Sequence, residues 1–131
     1  MKFALNDLHD YTLAAWSIDQ ASWAMVFDIH HPENSIQQSF QAVTKWAANG
    51  LHGPIGVLEL AAWAIDADLL DDRKAFRSWV RVFGYDCSAG EVRSYAQPLI
   101  AEHNGQVLAT IETVDGGAID LICGNLTQLQ L

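Results

Sequence analysis

Asp28-Ile-His-His31 is the densest group of metal-capable side chains in the sequence, and it closes a run, Trp23–Ile29, rich in aromatic and β-branched residues. Such residues suit a strand. In a strand Asp28 and His30 point to one face and His31 to the other, so a metal would need a third ligand from His9, His52, His103 or a cysteine. No second motif at ligand spacing accompanies the group, so neither metal nor cofactor is expected. His9-Asp10 is a pair that ligates metal in some hydrolytic sites, but those sites add a His upstream and none precedes His9. Asp10 is expected instead to accept backbone hydrogen bonds where a strand begins. Nucleophilic catalysis needs Ser or Cys beside a base. The chain has no Gly-x-Ser-x-Gly, no Walker loop and no Gly-x-Gly-x-x-Gly, and Gly50-Leu-His-Gly-Pro-Ile-Gly56 lacks the Lys of a phosphate loop. The expectation is a protein without catalytic residues. The alternative is a small ligand-binding domain or enzyme built on Asp28, His30 and His31.

Charge is the stronger signal. Sixteen acids against seven bases give −9 over 131 residues, which opposes direct nucleic-acid binding, because that needs Lys and Arg to displace counterions. Five of the bases (Arg73, Lys74, Arg77, Arg81, Arg93) lie between residues 73 and 93. Just before them, Asp66-Ala-Asp-Leu-Leu-Asp-Asp72 packs four carboxylates into seven residues. Asp66, Asp68, Asp71 and Asp72 are therefore the candidate partner-binding residues, an acidic surface able to steer a basic protein. Asp71 or Asp72 is expected to cap the following helix, which leaves Asp66 and Asp68 for steering. Arg73, Arg77 and Arg81 form a stripe at i, i+4 and i+8, read as an exposed face. Acidic face against basic stripe would also serve a homodimer.

The elements that must position these residues follow from periodicity. Half the residues are apolar and 18% are charged, a composition that can bury a core in a single domain spanning 1–131. Tyr11–Ile18 and Ser22–His30 read as a hairpin, with Tyr11, Leu13 and Ala15 alternating against Thr12, Ala14 and Trp16. Residues 35–48 and 58–66 fit a helix or a strand equally, since periodicity does not arbitrate short apolar runs. From Asp72 to Phe83 the stripe Phe76, Trp79, Val80, Phe83 predicts an amphipathic helix closed by Gly84. Ser88-Ala-Gly-Glu91 has the capping-box spacing of a second helix, which Pro98 limits or kinks. Beyond the turn pair Asn104-Gly105, Gln106–Val114 and Ala118–Cys123 read as strands around the hairpin turn Asp115-Gly116-Gly117, followed by a last alternating run to Leu131. The fold class expected is α+β, mainly antiparallel β-sheet with one or more packed helices.

The N-terminal residues lack the pattern of a signal peptide, no stretch approaches about 18 consecutive apolar residues, and Cys87 and Cys123 form no Cys-x-x-Cys. A cytoplasmic protein with reduced thiols and no membrane contact is expected. The five Trp are dispersed and read mainly as core, any exposed one being a natural binding anchor.

Leu8-His-Asp-Tyr-Thr-Leu13, followed by a two-stranded run, and Ile111-Glu-Thr-Val-Asp-Gly-Gly-Ala-Ile-Asp-Leu-Ile-Cys-Gly124 together resemble the opening and closing hairpins of small bacterial immunity-type, toxin-neutralising proteins. The resemblance covers about a third of the chain and leaves out the Arg-rich middle. It implies a sheet-based fold, a protein partner such as a basic toxin domain, and no catalytic residues to carry across. A phage-type inhibitor or nucleic-acid mimic would use the same acidity.

Overall fold

The run after Trp23 pairs with the segment before it, as its alternation predicts. Strands β1 (Thr12–Asp19) and β2 (Ala24–His31) form an antiparallel hairpin in the computed structural model, which describes residues 2–5, 7–51, 53–102 and 105–131. The alternation in β1 changes phase. A bulge between Leu13 and Ala15 brings Leu13, Trp16 and Ile18 to the core side together, whereas strict period two separates Leu13 from the other two. Pro32-Glu33 then turn the chain into β3 (Asn34–Gln41). Residues 35–48 thus hold two strands, β3 and β4 (Lys45–Asn49), joined through 42–44, and most of the second ambiguous segment is a strand too, β5 (Ile55–Ala64). Period two prevails because alternate residues Ile36, Gln38 and Phe40 are all buried, Phe40 lying edge-on to Phe27 at 5.6 Å.

A short 3-10 helix, Ala67–Asp71, leads into α1 (Arg73–Phe83), and α2 (Ala89–Glu102) follows. The caps are those the sequence predicts. Asp72 accepts from the Ala75 N–H at 2.9 Å, Gly84 closes α1 by donating to the Val80 carbonyl, and Ser88 and Glu91 exchange reciprocal 3.2 Å bonds. Pro98 lies inside α2. The buried side of α1 is Ala75, Ser78, Trp79 and Val82, with Phe76, Val80 and Phe83 on its flanks, so the helix is turned about one residue from the apolar stripe. Strands β6 (Val107–Thr113), β7 (Ala118–Cys123) and β8 (Asn125–Gln130) complete the chain; of the expected turn pair, Asn104 lies outside the described residues.

All strand pairs are antiparallel, in the order β4-β7-β6-β5-β1-β2-β3-β8, so the fold is α+β with a mainly antiparallel sheet. Between β5 and β1 only Thr12↔Gly56 and Leu13↔Ile55 pair, and bulges flank this corner on both strands. Bulged corners let a sheet fold over on itself. The inner faces of the two halves share one core, Phe27, Ile36 and Phe40 clustering with Ala109, Ile111 and Leu121. The outer face of the β4-β7-β6-β5 half meets the helices through Trp63, Leu108 and Ile122 against Trp79, Val92 and Ala96. The result is three layers: sheet, sheet, helices. Among the described residues, no helix is long and apolar enough to cross a membrane.

The β6–β7 turn uses its two glycines for different reasons. Gly116 has φ +91°, a left-handed conformation that a side chain disfavours. Gly117 is needed for space, since a Cβ there would stand 2.6 Å from the Gly50 carbonyl oxygen and 2.8 Å from the Thr113 hydroxyl. Gly117→Ala is expected to lower unfolding free energy by about 1–3 kcal/mol through overpacking, and Gly116→Ala by about 1 kcal/mol through backbone strain, as read by urea denaturation.

Candidate functional site

The acidic segment is held by two apolar anchors, Leu69 and Leu70, buried beneath the 3-10 helix. Its four carboxylates differ in their local bonds. Asp66 caps the 3-10 helix by accepting from the Asp68 N–H at 3.0 Å, and Asp72 caps α1. Asp68 and Asp71 are exposed and cap nothing. Asp66, Asp68 and Asp72 line one shallow depression with Lys2 and Trp63, while Asp71 and Asp72 border another with Arg73, Arg77 and Arg93. Asp66 and Asp68 leave the α1 cap to Asp72, as expected, but Asp66 itself caps the 3-10 helix; among the described residues Asp68 and Asp71 cap nothing.

The Arg stripe divides as well. Arg73 and Arg77 are exposed, and the Arg93 guanidinium lies 5.3 Å from the Phe76 ring centre. Arg81 turns inward. Its Nε and Nη2 donate to the two oxygens of Asp120 at 2.7 and 3.1 Å, and Nη2 also reaches the Thr110 hydroxyl at 3.2 Å. Asp120 is fully buried on β7 and accepts in addition from the Ser78 hydroxyl at 2.7 Å. Burial disfavours the guanidinium charge, but the Asp120 carboxylate outweighs it and raises the Arg81 pKa. Two helical turns before Arg81, Lys74 pairs with Glu59 on β5, which also lies 3.5 Å from the Lys2 ammonium. Burial raises the Glu59 pKa, yet the Lys74 bond and the charges of Lys74 and Lys2 bring it below the ordinary value. The face of α1 toward the sheet is thus Lys74, Ser78 and Arg81, set against Glu59 and Asp120. Sequence reasoning grouped Arg81 with the exposed arginines, because only the fold places Asp120 opposite it.

Asp28 and His30 lie on the outer face of the β1-β2-β3-β8 half, as the strand reading predicts. His31 is separate, its ring tilted 35° against that of Tyr11 at 4.9 Å and its Nδ1 accepting from the Glu33 N–H. Among the described residues no three His, Cys, Asp or Glu side chains gather to hold a metal; His52 and His103, named as third ligands, lie outside the described residues. At the start of β1 the turn acceptor is Asp7, which takes the His9 N–H at 3.0 Å, whereas Asp10 faces the His9 imidazole at 3.2 Å with φ +73°. Asp10 does not have the backbone-capping role the sequence assigned it.

Two features emerge only from the fold. A groove of about 530 Å³ runs between β4 and the helices, lined by Lys45, Phe83, Cys87, Tyr95, Leu99 and Ile122 among others. Its walls come from four distant segments, so no local pattern marks it. Of the five tryptophans, Trp63 and Trp79 are buried, Trp16 is partly buried against Trp46, and Trp46 and Trp23 are exposed. Trp23 is 52% exposed with a left-handed backbone (φ +52°), held by the bond from the Val43 N–H to its carbonyl. Compared with known proteins, the chain matches no family model, no curated sequence and no solved structure.

Both thiols are free. Burial pushes the Cys123 pKa up to about 12, whereas Cys87 is partly exposed beside the groove. A native-state thiol reagent is expected to label Cys87 alone, with Cys123 labelled only after unfolding. Because the folded state raises the Cys123 pKa, its contribution to stability is complete below the ordinary thiol value of 9.0 and is lost as pH climbs toward about 12. Urea titrations of wild type and Cys123→Ala across that range should therefore converge with rising pH.

Proposed function

We propose that this is a non-enzymatic, acidic protein-binding protein that neutralises a partner by covering a basic surface, in the manner of an immunity protein against a bacterial toxin. The supporting observation is the segregation of charge. From Phe3 through Thr44 the chain carries five acids (Asp7, Asp10, Asp19, Asp28, Glu33) and no Lys or Arg. These residues include all of β1, β2 and β3, while six of the seven bases sit at Lys45 or on α1 and α2. This stretch of 42 residues is therefore anionic without internal compensation. Clustered charge of one sign accelerates encounter with the opposite sign and rejects wrong partners.

The β1–β2 loop adds an anchor to the charge. Asp19 accepts from the Ala21 N–H at 2.9 Å and the Ser22 hydroxyl at 3.0 Å, bonds that lower its pKa and keep it ionised, four residues from exposed Trp23. A large aromatic ringed by polar groups is the composition of interface hot spots. Asp68 and Asp71 supply a second acidic point at the start of the helix layer, with Asp66 and Asp72 beside them mainly as caps. The reading rests on no cofactor and leaves Asp28, His30 and His31 as outer-face and strand-end residues.

The test begins with the protein encoded beside this one: co-expression should restore growth if that neighbour is toxic. The two purified proteins should then associate one to one. Asp68→Asn with Asp71→Asn should slow association about threefold or more near 0.01 M ionic strength, where the Debye length is roughly 30 Å, and reach parity with wild type near 1 M. Melting temperature should be unchanged, because neither residue caps a helix. Failure of co-expression to protect, or a rate indifferent to salt, would contradict the proposal.

A further inference from the structure

The two edges of the sheet are built differently. β4 is five residues long, carries Lys45, and packs against α1. Short strands, lysines and covering helices are the ordinary protections of an edge. β8, one residue longer, has no lysine and, among the described residues, no helix packed over it. It pairs with β3 along its whole length, Gln41↔Asn125 to Ile36↔Gln130, without a bulge, and among the described residues no strand pairs with its other side. It contains no Pro and no charge.

The missing charge is regional. Asn34–Thr44 and Leu121–Leu131 hold no Asp, Glu, Lys or Arg at all, in a chain of net charge −9. β3 and β8 are therefore one neutral zone at the edge of an acidic molecule. Ser35, Gln37, Ser39, Asn125, Thr127 and Leu129 share its outer face. Two copies of so acidic a protein repel one another when charged faces meet, and they can approach closely where the surface is neutral.

The backbone fixes how they would meet. The Leu131 N–H donates to the Ser35 carbonyl, so the odd residues of β8 direct their backbone groups to β3. By the alternation of an antiparallel ladder, Leu126, Gln128 and Gln130 direct theirs to the open side. There the Leu126 N–H donates to the side chain of its neighbour, Asn125, at 2.9 Å, and to no other strand among the described residues.

We propose that β8 is a homodimer edge: a second copy adds its own β8 antiparallel, with Gln128 on the two-fold axis. In this register Leu126 faces Gln130 of the other copy across hydrogen-bonded sites, and Thr127 faces Leu129 on the outer face. The pairing is isologous, and since β4 is protected it closes as a dimer and does not continue as a filament.

Sedimentation of the full chain from micromolar to millimolar concentration tests this. The wild type should form a dimer that added salt does not dissociate, because no ion pair holds it. Thr127→Asp with Leu129→Asp places like charges opposite one another twice, and should raise the dimer dissociation constant about tenfold or more. Thr127→Asp with Leu129→Lys places opposite charges there and should keep the dimer. Both side chains are exposed, so circular dichroism should be unchanged. Hydrogen exchange on the wild type is an independent check, with the Gln128 and Gln130 amides gaining protection as concentration rises. A wild type that stays monomeric would overturn the proposal. So would a double-Asp variant that dimerises normally, a dimer dissolved by salt, or an Asp/Lys variant as monomeric as the double-Asp one.

Discussion

A buried carboxylate with its guanidinium fixes how the helix layer meets the sheet. Asp120 has no exposure to water, and its charge is tolerable there only because Arg81 and Ser78 reach down from α1 to bond it. Removing a charge from water costs several kcal/mol, recovered only when geometry and additional hydrogen bonds are good. The pair therefore determines which side of α1 faces inward. With Ser78 and Arg81 directed at β7, Ala75, Trp79 and Val82 enter the apolar layer, and Lys74 falls beside Glu59. Phe76 and Phe83 are left on the flanks, where they meet Arg93, Lys45 and Tyr95.

That orientation also distributes the surface charge. The bases of α1 that face the sheet are consumed by its acids, and Arg73 and Arg77 remain outside with Arg93 near Asp71 and Asp72. The helix side is thus mixed in sign. The sheet half formed by β1, β2 and β3 has no such compensation, and along β3 and β8 it passes into a stretch with no charge of either sign. An anionic face for a basic partner and a neutral edge for a second copy are separate surfaces on one half of the molecule, so the two need not compete.

Features set by neighbours in sequence were legible before the fold was known. The β1–β2 hairpin, the Asp72 cap, the Ser88–Glu91 box and the Asp115-Gly116-Gly117 turn each depend on a few adjacent residues, and each stands where the sequence placed it. Features set by distant neighbours were not. Residues 35–48 and 58–66 become strands because β2, β6 and β7 pair with them, a preference their own spacing does not contain. The Leu13–Ala15 bulge exists to turn a corner between β1 and β5. Of the candidate site, the four aspartates and the outer-face placing of Asp28 and His30 were readable. The inward turn of Arg81 and the groove beside Cys87 were not, since each joins segments tens of residues apart; the Asp66 cap is local, two residues from the N–H it accepts, and marks a 3-10 turn that apolar periodicity does not signal.

The dependence of the helix layer on Asp120 is measured most directly by a double-mutant cycle in urea with Arg81→Met, Asp120→Asn and the two combined. Arg81→Met alone strands a buried carboxylate and should cost about 3–5 kcal/mol. The combined variant leaves no unpaired charge, so it should cost clearly less than the sum of the single variants, by about 2 kcal/mol or more. Additivity within about 0.5 kcal/mol would contradict the account and would mean that apolar packing alone holds α1 on the sheet.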